Sequence, residues 1–212
     1  MALRAPVDAV FYRLCQLAAT GPAMVYVRPR YFDIPDLSRR RGGLLIVSNH
    51  QSFLDPVLIG IAIEDPIAYL ARRDLFSIPG LGALLRGLGV RPVARGAVDS
   101  SALKTAIRLL RGGEALLMFP EGTRTHDGDL GVFKPGAAAL AVRCAVPVLP
   151  VCVEGAYECW PRTRLLPAPG RVAVGYGRPR PSQGLSAAQL TALLRQDVED
   201  LRRRLRAHLD RG

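Results

Sequence analysis

The sequence predicts an α/β fold: a single domain with a largely parallel central sheet flanked by helices. Three observations predict it. Short apolar runs, each the length of a strand, alternate with segments of helical periodicity. Those runs read as buried strands, the kind that a covered parallel sheet needs. Finally, 212 residues with 49% apolar content form a self-sufficient core and exclude a disordered chain.

The first segment, residues 3–18, repeats apolar groups at helical spacing through Leu3, Val7, Val10, Phe11, Leu14, Leu17 and Ala18, while Arg4, Asp8 and Arg13 fall elsewhere on the wheel. It predicts an amphipathic helix, broken by Gly21-Pro22, which suits either packing on a core or anchoring at a membrane surface. Strands are expected at 44–48, after Gly42-Gly43, and at 67–70, 90–94, 115–119, 146–151 and 171–176. Pro92 weakens the third of these. Helices are expected between them at 56–63, 79–88, 99–111 and 135–144. Ser186 and Gln189 have the spacing of a capping box. Behind them Leu190, Leu194, Val198, Leu201, Leu205 and Leu209 mark the apolar stripe of a long C-terminal helix. Residues 1–30 are therefore assigned to an N-terminal amphipathic segment, and residues 31–212 to the domain with its C-terminal helix.

Charge narrows the partners. Lys and Arg number 29 against 18 acids, a net charge of +11, and only Lys104 and Lys134 are lysines. Such a balance suits nucleic acid or an anionic membrane surface. Arg28, Arg30, Arg39, Arg40 and Arg41 cluster early; Arg162, Arg164, Arg171, Arg178 and Arg180 form a second stretch with no acid among them. No helix-turn-helix, RNA-recognition or zinc-finger pattern is present, and 6% aromatic content argues against stacking platforms for single strands. The membrane surface is the expected partner, and nucleic acid is not. The longest runs free of Asp, Glu, Lys and Arg are 14 residues, at 14–27 and 181–194. A spanning helix takes about 20, so peripheral attachment on the cytoplasmic face is expected. Cys15, Cys144, Cys152 and Cys159 show no C-x-x-C spacing and read as small buried hydrophobes. No two of the three histidines stand at metal-ligand spacing, so no metal is expected.

Two segments carry chemistry. Ser48-Asn49-His50-Gln51-Ser52-Phe53-Leu54-Asp55-Pro56 sets polar groups directly after a buried strand, where an α/β sheet forms its ligand crevice. On a regular helix His50 and Asp55 would diverge by about 140°, so their pairing requires a turn. Pro56 disfavours a helical Asp55 and fits the first turn of the next helix. That makes Asp55 a helix N-cap, and the same carboxylate would hold His50 in one tautomer as a general base. The second segment, Phe119-Pro120-Glu121-Gly122-Thr123-Arg124-Thr125, gathers an acid, a glycine, hydroxyls and an arginine suited to phosphate at the mouth of another strand.

Together these segments resemble the glycerolipid acyltransferase family, which includes 1-acylglycerol-3-phosphate acyltransferases. That family carries N-H-x-S-x-x-D followed by F-P-E-G-T-R-S. Both occur here in order, with His50 and Glu121 71 positions apart. Gly89–Arg95 is similar to the family's intermediate block, Val146–Val151 to its fourth, and Phe133-Lys134-Pro135-Gly136 to its F-K-x-G; Thr125 stands where serine is common.

The resemblance implies a glycerol-phosphate acyltransferase-like domain in which His50 takes the proton of an acceptor hydroxyl and Asp55 supports the imidazolium. The hydroxyl attacks an acyl thioester, acyl-CoA or acyl carrier protein, without an acyl-enzyme. Consistently, no G-x-S-x-G elbow occurs. Arg95, Glu121, Gly122, Thr123 and Arg124 are implied to bind the acceptor, 1-acylglycerol-3-phosphate or a similar lysophospholipid, with Lys134 adding charge; phosphatidic acid is the product. No cofactor is implied beyond the acyl donor. The alternatives are another amphiphilic acceptor, such as an ornithine-type lipid, or a non-catalytic anionic-lipid binder. The amphipathic first helix, the arginines and the apolar stretch Phe76–Val90 are the segments suited to the membrane.

Overall fold

Successive residues of a strand point to opposite faces of its sheet, and every residue of Leu44–Ser48 is buried. A strand covered on both faces needs helices on both. The computed structural model, which describes residues 13–14, 16–17, 20–21, 25–37, 40–77, 82, 90–93 and 100–211, has that construction. Its strands are β1 (Pro29–Phe32), β2 (Leu44–Ser48), β3 (Ile67–Arg72), β4 (Val90–Val93), β5 (Ala115–Met118), β6 (Val148–Glu154) and β7 (Val172–Tyr176). Its helices are α1 (Asp55–Ala62), α2 (Ser100–Arg111), α3 (Gly136–Cys144), α4 (Ala156–Cys159) and α5 (Ala187–Leu209). Among the described residues the strands form one sheet in the order β1-β7-β6-β2-β5-β3-β4. Every pair is parallel except β6 with β7.

One face sets Leu45, Val47, Leu116 and Val148 against Leu109 and Leu110 of α2, Leu140 of α3, and Leu190, Leu194 and Val198 of α5. The other sets Leu44, Ile46, Leu117 and Leu149 against Leu58 and Ile59 of α1. Tyr176 is buried on that side with its hydroxyl donating to the Ile59 carbonyl at 2.9 Å. The capping box of α5 forms as expected: Gln189 N donates to Ser186 Oγ and Ser186 N to Gln189 Oε1.

Several boundaries differ from the sequence expectation. β6 starts at Val148 because Val146 and Pro147 finish the turn out of α3, where Ala145 is left-handed (φ 51°) and Val146 N donates to the Ala141 carbonyl. It continues to Glu154 through its antiparallel ladder with β7. β1 was not expected; it lies at a sheet edge, with Pro29 buried, Arg30 exposed and Tyr31 and Phe32 half-buried, so it lacks the continuous apolar run of the central strands. β4 keeps Pro92 in register with Ala71 because β4 is the outermost strand on its side, where an absent N–H is tolerated.

The helix expected at 79–88 lies outside the described residues except Gly82, which is helical. Of the expected helix at 3–18, Arg13, Leu14, Gln16 and Leu17 are described and helical. Gln16 Nε2 donates to the carbonyls of Gly60, Ile61 and Ile63 at 2.7, 3.1 and 3.0 Å, which docks this segment on the open carboxyl end of α1. Among the described residues, no helix is long and apolar enough to cross a membrane.

Candidate active site

Parallel pairing brings the carboxyl ends of β2, β5 and β6 to one edge of the sheet, at Ser48, Met118 and Glu154. Three loops leave from there. The loop after β2 begins with Asn49, whose side chain clamps β6: Nδ2 donates to the Val153 carbonyl at 2.8 Å and Oδ1 accepts from Val153 N at 2.9 Å. The backbone then turns through Phe53 and Leu54 and enters α1 at Asp55. The turn points the Asp55 carboxylate back up the chain. Its Oδ2 lies 2.8 Å from His50 Nδ1 and accepts from Gln51 N at 2.6 Å and Ser52 N at 2.7 Å.

The N-cap expectation for Asp55 is thereby corrected. Leu54 holds that position with no side-chain cap, Asp55 is the first helical residue, and Pro56 follows in the first turn as expected. The carboxylate does not cap the helix because it turns back along the chain, where two upstream N–H groups and the imidazole meet its Oδ2. Asp55 is fully buried, and its Oδ1 has no hydrogen-bond partner among the described residues. Burial pushes its pKa up, and the bond and charge of His50 lead the effects that pull it back. With Nδ1 engaged, His50 Nε2 has no hydrogen-bond partner among the described residues and is available for chemistry, on a side chain that keeps 19% exposure. Phe119 stacks on the imidazole, centroids 3.9 Å apart and planes at 13°, which fixes the ring.

The loop after β5 closes over the first. Gly122 turns at φ 74°, and its N–H donates to the Phe119 carbonyl at 3.0 Å. Glu121 is buried and serves the backbone: Oε1 accepts from His50 N at 3.0 Å and Oε2 from Gly131 N at 3.3 Å. Thr125 N donates to the His50 carbonyl at 2.8 Å. Thr123 is exposed. The Arg124 guanidinium lies over the Phe53 ring, 3.4 Å from its centroid, and its buried Nη1 has no partner among the described residues. Burial first, then the nearby charge of Arg162, lowers the Arg124 pKa. Arg162 itself sits 2.8 Å from His126 Nε2. A guanidinium with an unsatisfied buried donor, near enough to Arg162 to feel its charge, suits an anion. Lys134 is exposed, with Nζ beside Gly122.

His50, Asp55, Glu121, Gly122, Thr123, Arg124 and Lys134 are thus brought to one sheet edge. Arg95 lies outside the described residues.

The loop after β6 adds residues that the sequence reading missed. Gln51 Nε2 donates to Glu154 Oε2 and to the Gly128 carbonyl, both at 3.1 Å. Glu154 is buried and receives Arg202 Nε at 2.9 Å and Arg206 Nε at 2.5 Å from α5. The available signals were a glutamate closing an otherwise apolar strand and an arginine at 202 on the apolar stripe of α5, four residues after Val198. Ser52 Oγ donates to the Trp160 carbonyl at 2.8 Å, and Phe53 meets the Trp160 ring at 5.2 Å between centroids. Cys152 and Cys159 are buried, as expected of small hydrophobes, whereas Cys144 at the end of α3 is only half-buried and Cys15 lies outside the described residues; burial raises the thiol pKa of Cys152 and of Cys159, the latter to about 11.

Residues 30–154 match the family model described as Acyltransferase. The chain is 37% identical over 117 residues to the chloroplastic 1-acyl-sn-glycerol-3-phosphate acyltransferase BAT2 of Brassica napus, covering 54% of this chain and 34% of that relative. It is 34% identical over 148 residues to the 1-acyl-sn-glycerol-3-phosphate acyltransferase of Pseudomonas aeruginosa, covering 66% of this chain and 55% of that protein. The matches therefore span a third to about half of these curated relatives. Among solved structures, the 1-acyl-sn-glycerophosphate (LPA) acyltransferase PlsC from Thermotoga maritima superposes with a TM-score of 0.79 at 30% identity, covering 95% of this chain and 80% of that one.

Proposed function

This chain belongs to the acyltransferase family, and on that premise we propose that it acylates the free hydroxyl of 1-acylglycerol-3-phosphate or a close lysophospholipid, with an acyl thioester as donor. The observation that carries the reading is the pairing of His50 Nδ1 with a buried Asp55 carboxylate at 2.8 Å, beside an arginine whose inner nitrogen lacks a partner among the described residues.

The chemistry follows from those atoms. Asp55 holds His50 in the tautomer that leaves Nε2 as the base. Nε2 takes the proton of the acceptor hydroxyl as its oxygen attacks the thioester carbonyl. Collapse of the tetrahedral intermediate breaks the carbon–sulfur bond. The leaving thiolate recovers the proton from Nε2, giving a diacyl ester and a free thiol. No enzyme nucleophile is needed, in keeping with the raised thiol pKa values of the buried Cys152 and Cys159. Arg124, within reach of the charge of Arg162, grips the acceptor phosphate; Lys134 adds charge to that pocket, and the resemblance gives the same role to Arg95, which lies outside the described residues. Glu121 and Gly122 shape the pocket by holding the loop, and Thr123 lies at its rim. A membrane-borne acceptor makes the protein peripheral to an anionic membrane surface.

The test is release of thiol from acyl-CoA in the presence of 1-acylglycerol-3-phosphate, with phosphatidic acid identified as product. His50→Ala is expected to lower turnover by roughly a hundred- to ten-thousand-fold without loss of fold. Turnover retained in the purified variant removes the assignment of the base.

A further inference from the structure

The segment between α4 and β7 forms a compact loop with a pinned base. Ala168 N donates to the Cys159 carbonyl at 2.7 Å, and Gly170 N to the Tyr26 carbonyl at 3.2 Å. Tyr26 Oη donates to the Pro167 carbonyl at 2.9 Å. Arg164 N bonds back to the Pro161 carbonyl, and Trp160 Nε1 donates to the Arg164 carbonyl at 3.1 Å. Local bonds therefore hold the loop in shape, and its tip is apolar: Leu165 is 93% and Leu166 74% exposed. Val25, beside Tyr26, is 79% exposed. A single exposed leucine needs no explanation. Two adjacent ones on a fixed tip gain nothing from folding, and their setting is not random.

Arg164 precedes the tip, with Nη1 donating to the Glu158 carbonyl at 3.4 Å, and Arg171 closes the loop; neither forms an ion pair among the described residues. No acid occurs from Pro161 to Gln196. The loop also borders the candidate site, because Trp160 at its base meets Phe53, on which Arg124 lies. An apolar tip on a loop that carries guanidiniums without ion-pair partners among the described residues matches an anionic phospholipid leaflet, acyl chains below and phosphates above.

We propose that residues 161–170 are a membrane wedge. Leu165 and Leu166 enter the acyl region of an anionic bilayer, Arg164 and Arg171 take positions at the lipid phosphates, and the mouth of the site beside Phe53 is seated on the lipid surface. The proposal rests on the reading of the acceptor as a membrane-borne lysophospholipid, and it gives that reading a point of entry.

The chain has one tryptophan, Trp160, at the base of the wedge, so indole emission excited at the red edge, where tyrosine does not absorb, reports on this loop alone. Extruded vesicles of phosphatidylcholine brominated on its acyl chains, with and without phosphatidylglycerol, are the probe. The expected result is quenching and a blue shift of Trp160 with the anionic vesicles, weakened by salt. Leu165→Ser/Leu166→Ser lowers the vesicle partition coefficient at least about tenfold, since each leucine loses a large part of its transfer free energy. It leaves turnover of a monomeric short-chain acceptor unchanged. Arg164→Gln/Arg171→Gln abolishes the preference for anionic vesicles.

Unaltered Trp160 emission with every vesicle, or wild-type partitioning of the double serine variant, overturns the wedge. Turnover of vesicle-borne acceptor without a Trp160 response likewise overturns the wedge and leaves the acyltransferase reading standing. Anionic-vesicle binding through the leucines without turnover of any acceptor supports the wedge and counts against that reading.

Discussion

Arg202 of α5 donates through Nε to Oε2 of Glu154 at 2.9 Å, and both side chains are buried. The same oxygen accepts Gln51 Nε2 at 3.1 Å, one residue beyond His50. The helix that closes the chain and the loop that carries the base therefore meet on one carboxylate. Arg202 also donates to the Gly128 carbonyl at 2.6 Å and to Asp129 at 3.0 Å, so it braces the loop after β5 as well.

Arg202→Leu keeps the apolar stripe of α5 and strips Glu154 of its buried cation. Removing one partner of a buried pair costs about 3–5 kcal/mol. Arg206, still on Oε1, places the expected loss near the lower end, about 3 kcal/mol by urea unfolding. Adding Glu154→Gln removes the stranded charge and is expected to recover part of that loss. A single variant as stable as wild type, or a double variant worse than the sum of its parts, contradicts this account.

Arg124 lies on Phe53 with an inner nitrogen that has no partner among the described residues, and Arg162 stands near enough to lower its pKa. A phosphate bound at Arg124 satisfies the donor and relieves the repulsion. Arg124→Ala is expected to raise KM for a phosphorylated acceptor by about ten- to a hundredfold, the worth of charge-assisted hydrogen bonds, while KM for the acyl donor changes little. Arg124→Lys restores charge but not the flat contact with Phe53, and falls between. Equal effects on both substrates assign Arg124 to structure alone.

The burial of Glu121 gives a pH signature. Burial raises its pKa above the ordinary 4.5, against the opposing pull of the His50 and Gly131 N–H groups. A carboxyl raised on folding binds its proton more tightly in the native state. Its favourable contribution is thus complete below about pH 4.5 and is lost as pH rises through the elevated native value. Glu121→Gln removes this titration while keeping one acceptor for His50 N. Melting temperatures of wild type and variant, compared over mildly acidic to neutral pH, are expected to move relative to each other, with wild type losing ground as pH rises. A constant gap would mean that Glu121 does not titrate above its unfolded value.

Much of this site was legible along the chain because its chemistry lies in short contiguous blocks. His50 and Asp55 are five positions apart, and Glu121 to Arg124 are consecutive. Each block follows an apolar strand, and parallel pairing of β2 with β5 brings the strand ends together. The central strands were legible for a related reason: burial on both faces leaves them no polar alternation. The bracing behind the site was not legible. Glu154 and Arg202 are 48 positions apart and meet only because α5 packs across β6. The direction of the Asp55 carboxylate was misjudged because a helix-start aspartate ordinarily serves the N–H groups ahead of it. Here the donors lie behind it, at Gln51 and Ser52, in a turn that sequence spacing does not specify.

Gly122 is where the loop after β5 depends on having no side chain. Its φ of 74° lies in the left-handed region, where an L-residue with a Cβ pays about 1–2 kcal/mol. A Cβ there would also come within 3.0 Å of Lys134 Nζ, the far end of a flexible side chain that yields readily. The backbone is therefore expected to dominate the stability effect, and the displaced ammonium to dominate the functional one. Gly122→Ala should lower stability by about 1–2 kcal/mol, and by the same amount in a Lys134→Ala background, because the strain does not involve the lysine. Its effect on KM for a phosphorylated acceptor should shrink in that background, because the charge it displaces is already gone. A stability loss that vanishes with Lys134 would transfer the constraint from the peptide to the side-chain contact, and equal KM effects in both backgrounds would remove Lys134 from the acceptor pocket.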